Sequence, residues 1–490
     1  MGKTLTKQSK VALFEASATQ FGNLMGKPSL NEFSMVKLPS RAIPTLDGIL
    51  KAEGWENTQQ INPIYNGRRG RIISRNFQDI FNSEVLLISA TTATTPQSLE
   101  MARLYRLNNP NGIIIAGGSD ATFRTERWLD EVDFVVLKEG EKTLPELMQR
   151  LTEDTGNLED VQGIAYKDGW DVVFTEERAR MTPEELSELP HPFYDEVTRR
   201  KAMVGVIDTS RGCPNDCEYC GVTVFNGRRY RNRSPDHVIQ GLENIEGMGK
   251  LVFYTDDNLI GVPRKTEKML EAIIEKGFNK RPGMAQVTVK LADKENDDLM
   301  KLMKKANITS LCIGIESIND EFLKDVGKPY TAAQNIEAIR KLKEEGFWIH
   351  GMMMCGGDKD TKDSLRETRE FMKKYLDSMQ LFALGPIIGT RLDARMRAEG
   401  RILSDDLSLQ DGHYVLVRPK GLTPYEAQRE IIDAYQDFYS VESSLRRLGR
   451  SPRKATTLGI LAYTAIGGGI RKIVNSPQMQ AHLEFLKSVS

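Results

Sequence analysis

Apolar runs alternate with stretches of helical period along the first 140 residues of the chain. Residues 11–14, 85–88, 113–116 and 134–137 are almost wholly apolar, and such continuous runs predict strands buried on both faces. Between them Ile43, Leu46, Ile49 and Leu50 recur on one helix face, Pro96 opens a helix running through Leu99 to Leu104, and another helix surrounds Trp128 and Val132. Strand and helix in alternation predict a doubly wound parallel sheet, with ligands outside the carboxyl ends of the strands, at residues 89–92, 117–122 and 139–141. Residues 163–174 read as a hairpin turning on Asp168 and Gly169, followed by a polar connector containing Pro183, Pro190 and Pro192.

The alternation resumes with six strand candidates, 204–209, 251–255, 285–290, 310–315, 348–354 and 379–384, each followed by a loop and a helical stretch. Six such units predict a partial (β/α)6 barrel of TIM type, whose chemistry gathers on the loops beyond the strands. After about residue 400 the pattern turns helical, most clearly over 424–440. The expected organisation is therefore α/β: a doubly wound domain over 1–180, a linker over 181–200, a barrel over 201–400 and a C-terminal helical region over 401–490. The tail joins a basic cluster (Arg446, Arg447, Arg450, Arg453, Lys454) to an apolar run at 458–470. It reads as a helix packed on the barrel, with contact to a membrane surface as the alternative.

Composition narrows the function classes. With 67 basic and 68 acidic residues the net charge is -1, so no basic excess points to nucleic acid. The run at 458–470 falls short of the ~20 residues needed to span a bilayer, and the N-terminus lacks the apolar core of a secretory signal. A cytoplasmic protein with reduced thiols is expected. Its five cysteines begin at Cys213 and its histidines at His191, so the first third holds no soft metal ligand.

Three of those cysteines fall in Arg211-Gly212-Cys213-Pro214-Asn215-Asp216-Cys217-Glu218-Tyr219-Cys220, just past the first barrel strand. Three thiolates on one loop can hold three irons of a cubane and leave the fourth open to a chelating ligand. Neither Cys312 nor Cys355 has a nearby partner to complete a structural zinc site. This CxxxCxxC loop resembles the radical S-adenosylmethionine superfamily over residues 200–400. The resemblance implies a [4Fe-4S] cluster on Cys213, Cys217 and Cys220, with S-adenosylmethionine chelated to the open iron and cleaved to a 5'-deoxyadenosyl radical. It implies cofactor contacts at Tyr219, at Asp256, Asp257 and Asn258 after strand two, at Glu316 after strand four, and at Gly356 and Gly357 after strand five. The residue-level alternatives are an Asx turn for the strand-two loop and a buried ion pair for Glu316. Cys355 and Tyr254 are candidate hydrogen or proton donors, with core packing as the plainer role for the cysteine. His350 reads as a structural histidine.

Ahead of the barrel, Gly117-Gly118-Ser119-Asp120 and Gly140-Glu141 resemble the glycine pair and glycine-glutamate turn of a cobalamin-binding domain. Asp120 stands near where relatives often carry histidine, and the DxHxxG signature is missing, so any cobalt would receive no imidazole from this domain. The alternative is a sheet that has lost the cofactor. Together these resemblances imply cobalamin-dependent methylation of an unactivated carbon. Radical cyclisation, coupling or rearrangement without methyl transfer stays open, as does a non-catalytic iron-sulfur sensor. The implied partners are a small-molecule, lipid or peptide substrate and an electron donor such as flavodoxin or ferredoxin.

Overall fold

The computed structural model describes residues 5–16, 38–67, 72–153, 157–449 and 467–490. The described residues divide into two compact units: those up to 206 together with 231–250 in the first, and those of 207–230 and from 251 onward in the second. The stretch 231–250 thus groups with the N-terminal segment, and 401–490 groups with the barrel.

In the first unit a seven-stranded sheet runs in the order Thr58–Ile61, Val11–Phe14, Val85–Ser89, Ile113–Gly117, Phe134–Val136, Ile164–Asp168, Asp171–Phe174. The first five strands are parallel, and the hairpin Ile164–Phe174 continues the sheet antiparallel. Alternate side chains of the central strands enter two cores. Phe14, Leu86, Ile88, Ile114 and Val135 pack with Leu99, Tyr105 and Trp128, while Val11, Leu13, Val85, Leu87 and Ile115 pack with Ile43, Leu50, Trp55 and Leu147. Both faces are covered, as the unbroken apolar runs require.

The strand Thr58–Ile61, with the sequence Thr-Gln-Gln-Ile, carries no apolar run and was not anticipated. Two of its polar side chains are satisfied by one buried carboxylate, Asp47, which accepts from Thr58 Oγ1 (2.5 Å) and Gln60 Nε2 (2.6 Å), while Gln59 Nε2 donates to Asp79 Oδ2 (2.7 Å). Because this strand lies outside Val11–Phe14, the strand order reverses between Val11–Phe14 and Val85–Ser89, the place where doubly wound sheets bind ligands.

The dividing line falls inside Val204–Ile207, after Val206. Six strands form the second sheet, in the order Ser378–Ala383, Trp348–Cys355, Ile308–Glu316, Gly283–Val287, Leu251–Tyr254, Val204–Ile207. Consecutive strands from Leu251 onward pair parallel. All six coincide with the apolar runs, within a few residues at the ends. The helix Pro424–Phe438, opened by a Thr423/Glu426 capping box, leads to Tyr435 and Tyr439, whose hydroxyls accept from Leu381 N–H and Met379 N–H at 3.1 Å and so cover the last strand's free edge.

No helix among the described residues is long and apolar enough to cross a membrane. Of the basic cluster, Arg446 pairs with Glu442 and Arg447 stacks on Phe438 (3.7 Å). Arg450, Arg453, Lys454 and residues 458–466 lie outside the described residues.

Candidate functional site

Past Ile207 the chain turns through Gly212 into the cysteines. Gly212 has φ +92°, and a Cβ on it would stand 2.3 Å from the Arg229 carbonyl oxygen, so only glycine permits the crossing. Its N–H donates to Asp257 Oδ2 (2.9 Å), which also accepts from Asn226 Nδ2 (3.2 Å). Asp257 therefore anchors the start of the loop. Cys217 is buried, Cys213 and Cys220 are half-buried, and all three are free thiols. Burial raises their pKa values, Cys220 to about 11, so ligation at neutral pH exchanges a proton for a metal. A cubane spreads three ligands over three irons, and three thiols spaced along one loop are a donor set of that kind.

Asp256 is fully buried, and its Oδ1 accepts from Thr209 N–H (3.0 Å), Thr209 Oγ1 (2.8 Å) and Ser210 Oγ (2.6 Å). Oδ2 is buried with no hydrogen-bond partner. Burial raises the carboxyl to about 6, which leaves it ionised at neutral pH with one oxygen unsatisfied. Such an oxygen beside a three-thiol loop suits the ammonium of an amino-acid ligand. Asn258 forms the Asx turn, its Oδ1 accepting from Ile260 N–H (3.4 Å). Tyr230 lies flat on Gly261, where a Cβ would stand 1.5 Å from its Cζ.

Strand four ends with Glu316 in left-handed backbone (φ +63°), after a register shift against strand five. Its Oε1 pairs with Lys328 Nζ at 2.9 Å, and Lys328 also donates to the Gly314 carbonyl oxygen (3.3 Å). The buried ion pair is the observed role. Tyr219 donates its hydroxyl to the same Glu316, and burial holds that hydroxyl well above its ordinary pKa. Its ring packs with Phe322, Val326 and Met354. Lys328, the charge nearest Cys217 in effect, was not singled out by sequence; it lies 12 positions beyond Glu316, outside any strand end.

The two glycines after strand five differ. Gly356 has φ +92° and open space where a Cβ would stand, whereas Gly357 is pressed on the Phe322 ring. Both N–H groups donate to Asp360 Oδ2 (2.9 and 3.0 Å), a carboxyl that burial raises to about 6.

Both candidate donors are buried. Cys355 is fully buried with its Sγ directed to the Ala427 carbonyl oxygen (3.7 Å), and it shares strand parity with Gly351, which faces Leu376 in the helix layer. Tyr254 is buried with its ring against Gly283, at the start of the neighbouring strand. His350 bonds Ser378 Oγ (2.6 Å) and Gln380 Oε1 (3.4 Å), a structural role.

In the first unit Gly118 (φ +97°) crosses over the loop after Val85–Ser89; a Cβ there would stand 2.4 Å from the Ala90 carbonyl oxygen. Ser119 opens the short helix Ser119–Phe123. Asp120 is turned inward: its Oδ1 accepts from Trp128 Nε1 (3.0 Å), and its Oδ2 pairs with Arg124. It is consumed by the fold. Gly117 lies near Val136, and Gly140 and Glu141 open the helix Gly140–Arg150. Glu139, just before them, is buried against Arg231 (2.8 Å) and Met181 N–H (3.1 Å). On the helix Thr95–Asn108, beneath the strand ends, Gln97 Nε2 and Ser98 Oγ are buried and unpartnered. Glu15, at the switch point, is raised by burial to about 7. Buried donors of this kind can hydrogen-bond a large polar ligand.

Comparison with known proteins matches two family models, the Radical SAM superfamily over residues 207–372 and the B12 binding domain over residues 36–148. An uncharacterized methyltransferase of Pyrococcus horikoshii is 27% identical over 73% of this chain and 79% of its own length. The hopanoid C-2 methylase of Rhodopseudomonas palustris is 30% identical over 48% of this chain and 45% of its own, and the anaerobic magnesium-protoporphyrin IX monomethyl ester cyclase of Cereibacter sphaeroides is 26% identical over 72% and 60%. Of these last two, the chain spans less than two thirds. Among solved structures, the cobalamin-dependent S-adenosylmethionine radical enzyme OxsB superposes with a TM-score of 0.69 at 17% identity, covering 98% of this chain and 75% of that one. The methyltransferase TsrM of Kitasatospora setae gives 0.66 at 14%, covering 96% and 100%. At these identities the structures establish the fold.

Proposed function

We propose, for a chain that belongs to the radical S-adenosylmethionine superfamily and carries a B12-binding domain ahead of its barrel, that it is a cobalamin-dependent methyltransferase acting on an unactivated carbon of a small molecule. The observation that carries the reading is a three-thiol loop whose entry, at Thr209 and Ser210, is bonded to Asp256, a carboxylate with its Oδ2 buried and unpartnered. When bound, a [4Fe-4S] cluster supplies the electron that cleaves S-adenosylmethionine, and cobalamin supplies the methyl group.

The chain's own residues hold and shield these groups. Cys213, Cys217 and Cys220 bind three irons. Asp256 receives the ammonium of the amino acid, Gly356 gives close backbone approach, and Tyr219 and Glu316 form the wall beside Cys217. In the first unit Gly117, Gly118, Ser119, Gly140 and Glu141 form the cobalamin crossing, and Gln97 and Ser98 offer it a donor and a hydroxyl. Since the first histidine is His191, the cobalt takes no imidazole from residues 1–190. The methylase relatives support methyl transfer, the hopanoid methylase a lipid-class substrate. A flavodoxin- or ferredoxin-type donor supplies the electron, in keeping with a chain whose five cysteines offer one cluster motif.

Anaerobic reconstitution with iron, sulfide and cobalamin tests this. Release of 5'-deoxyadenosine together with corrin absorption is expected. The cyclase relative favours a second reading, radical cyclisation without methyl transfer, which would give 5'-deoxyadenosine and no corrin. No cleavage by a fully loaded cluster would sink both.

A further inference from the structure

The helix Arg391–Ala398, which follows the last barrel strand, grips the cysteine loop between its ligands. Arg395 meets Glu218 as a fork on a carboxylate, Nε to Oε1 at 2.9 Å and Nη2 to Oε2 at 2.8 Å. Leu392 N–H donates to the Glu218 carbonyl oxygen (3.2 Å), and Arg391 donates to the Asp216 carbonyl oxygen (2.7 Å) and Oδ2 (3.2 Å). From the other side Glu218 N–H donates to the Val326 carbonyl oxygen (3.2 Å). Residues 216 and 218 flank Cys217, so their backbone sets the aim of that thiol and its distance from Cys220. The same guanidinium lies 3.7 Å from Asp358, in the loop of Gly356 and Gly357, and 4.0 Å from Asp325. Asp358 is itself held by Arg401 and by Lys420 at 3.4 Å.

Resting on the cluster assignment above, we propose that Arg395 is a positioning residue for the cluster. It locks the span between Cys217 and Cys220 in its ligating conformation and ties it to the glycine loop after strand five. The fork matters because a planar guanidinium fixes both carboxylate oxygens at once, which a lysine ammonium cannot do.

The test is the rate at which the anaerobically reconstituted protein surrenders iron to a ferrous chelator, followed with the paramagnetic resonance spectrum of the reduced cluster. Arg395→Met is expected to lose iron about tenfold faster or more, the scale of a charge-assisted hydrogen bond. Its spectrum should broaden into several species. Glu218→Gln should match it and the double variant should be no worse, as expected for one shared interaction. Arg395→Lys should fall between. Arg397→Met, a change on the same helix that breaks contacts to Asp393 and to Asp405 beyond the helix end, should leave iron loss unchanged. If Arg395→Met fails to fold, Arg395→Lys and Glu218→Gln carry the comparison. Wild-type iron loss and spectrum in both would overturn the proposal. A wild-type protein that takes up no cluster would instead overturn the functional reading.

Discussion

Replacing Asp256 by asparagine separates binding of the amino-acid ligand from assembly of the cluster. Asp256 Oδ1 accepts three hydrogen bonds, at 3.0, 2.8 and 2.6 Å, all of which an asparagine oxygen can keep. What changes is Oδ2, the buried atom without a partner. Its loss removes a charge-assisted contact of about 1.5–3 kcal/mol, or roughly 10- to 150-fold in affinity for S-adenosylmethionine. Iron content should be unchanged. The pH profile sharpens the test. Burial raises the carboxyl from 3.8 to about 6, so ammonium binding should weaken as pH falls through 6 in the wild type and stay flat in Asp256→Asn. For folding the sign is opposite: a raised pKa means the folded state takes up the proton more readily. This group's stabilisation is thus complete below pH 3.8 and is lost as pH rises through 6. Equilibrium binding of S-adenosylmethionine to reconstituted protein between pH 5 and 7.5 measures the affinity loss and the binding profile. Equal affinity of the two proteins at pH 7.5, or parallel profiles, would refute the reasoning.

Cys217→Ala should abolish the cluster's visible absorption and all cleavage of S-adenosylmethionine while far-ultraviolet circular dichroism stays unchanged. Lys328→Met leaves Glu316 buried without its cation and should cost about 3–5 kcal/mol by chemical denaturation, with Lys328→Met/Glu316→Gln less damaging than the single change. Gly118→Ala forces a Cβ to 2.4 Å from the Ala90 oxygen at positive φ. It should destabilise the first unit by about 1–3 kcal/mol and weaken cobalamin uptake, read by thermal melting and corrin absorption.

The barrel strands were legible because each is a compact apolar run, and the cysteine loop because its three ligands are close in sequence. The polar strand Thr58–Ile61 was not, since its burial depends on Asp47 from a neighbouring helix. Nor was Arg395, whose role arises only when segments 177 positions apart meet, nor Lys328, which folds back on Glu316. Sequence placed Asp120 and Cys355 at strand ends, but it could not show which way a side chain turns. Trp128 and Arg124 draw the first inward, and the helix Pro424–Phe438 receives the second. Asp360 had a faint signal, an acid three positions beyond a glycine pair.

Arg395 and Glu218 stand 177 positions apart. At about 5–20 residues per second, a ribosome completes the cysteines roughly 9 to 35 seconds before it delivers the guanidinium that holds them. During that interval the nascent chain presents three reactive thiols on an unfastened loop. With Arg395 in its proposed positioning role, iron-sulfur loading is expected to follow barrel closure, and a chain halted before residue 391 should hold a cluster less firmly although its cysteine motif is complete.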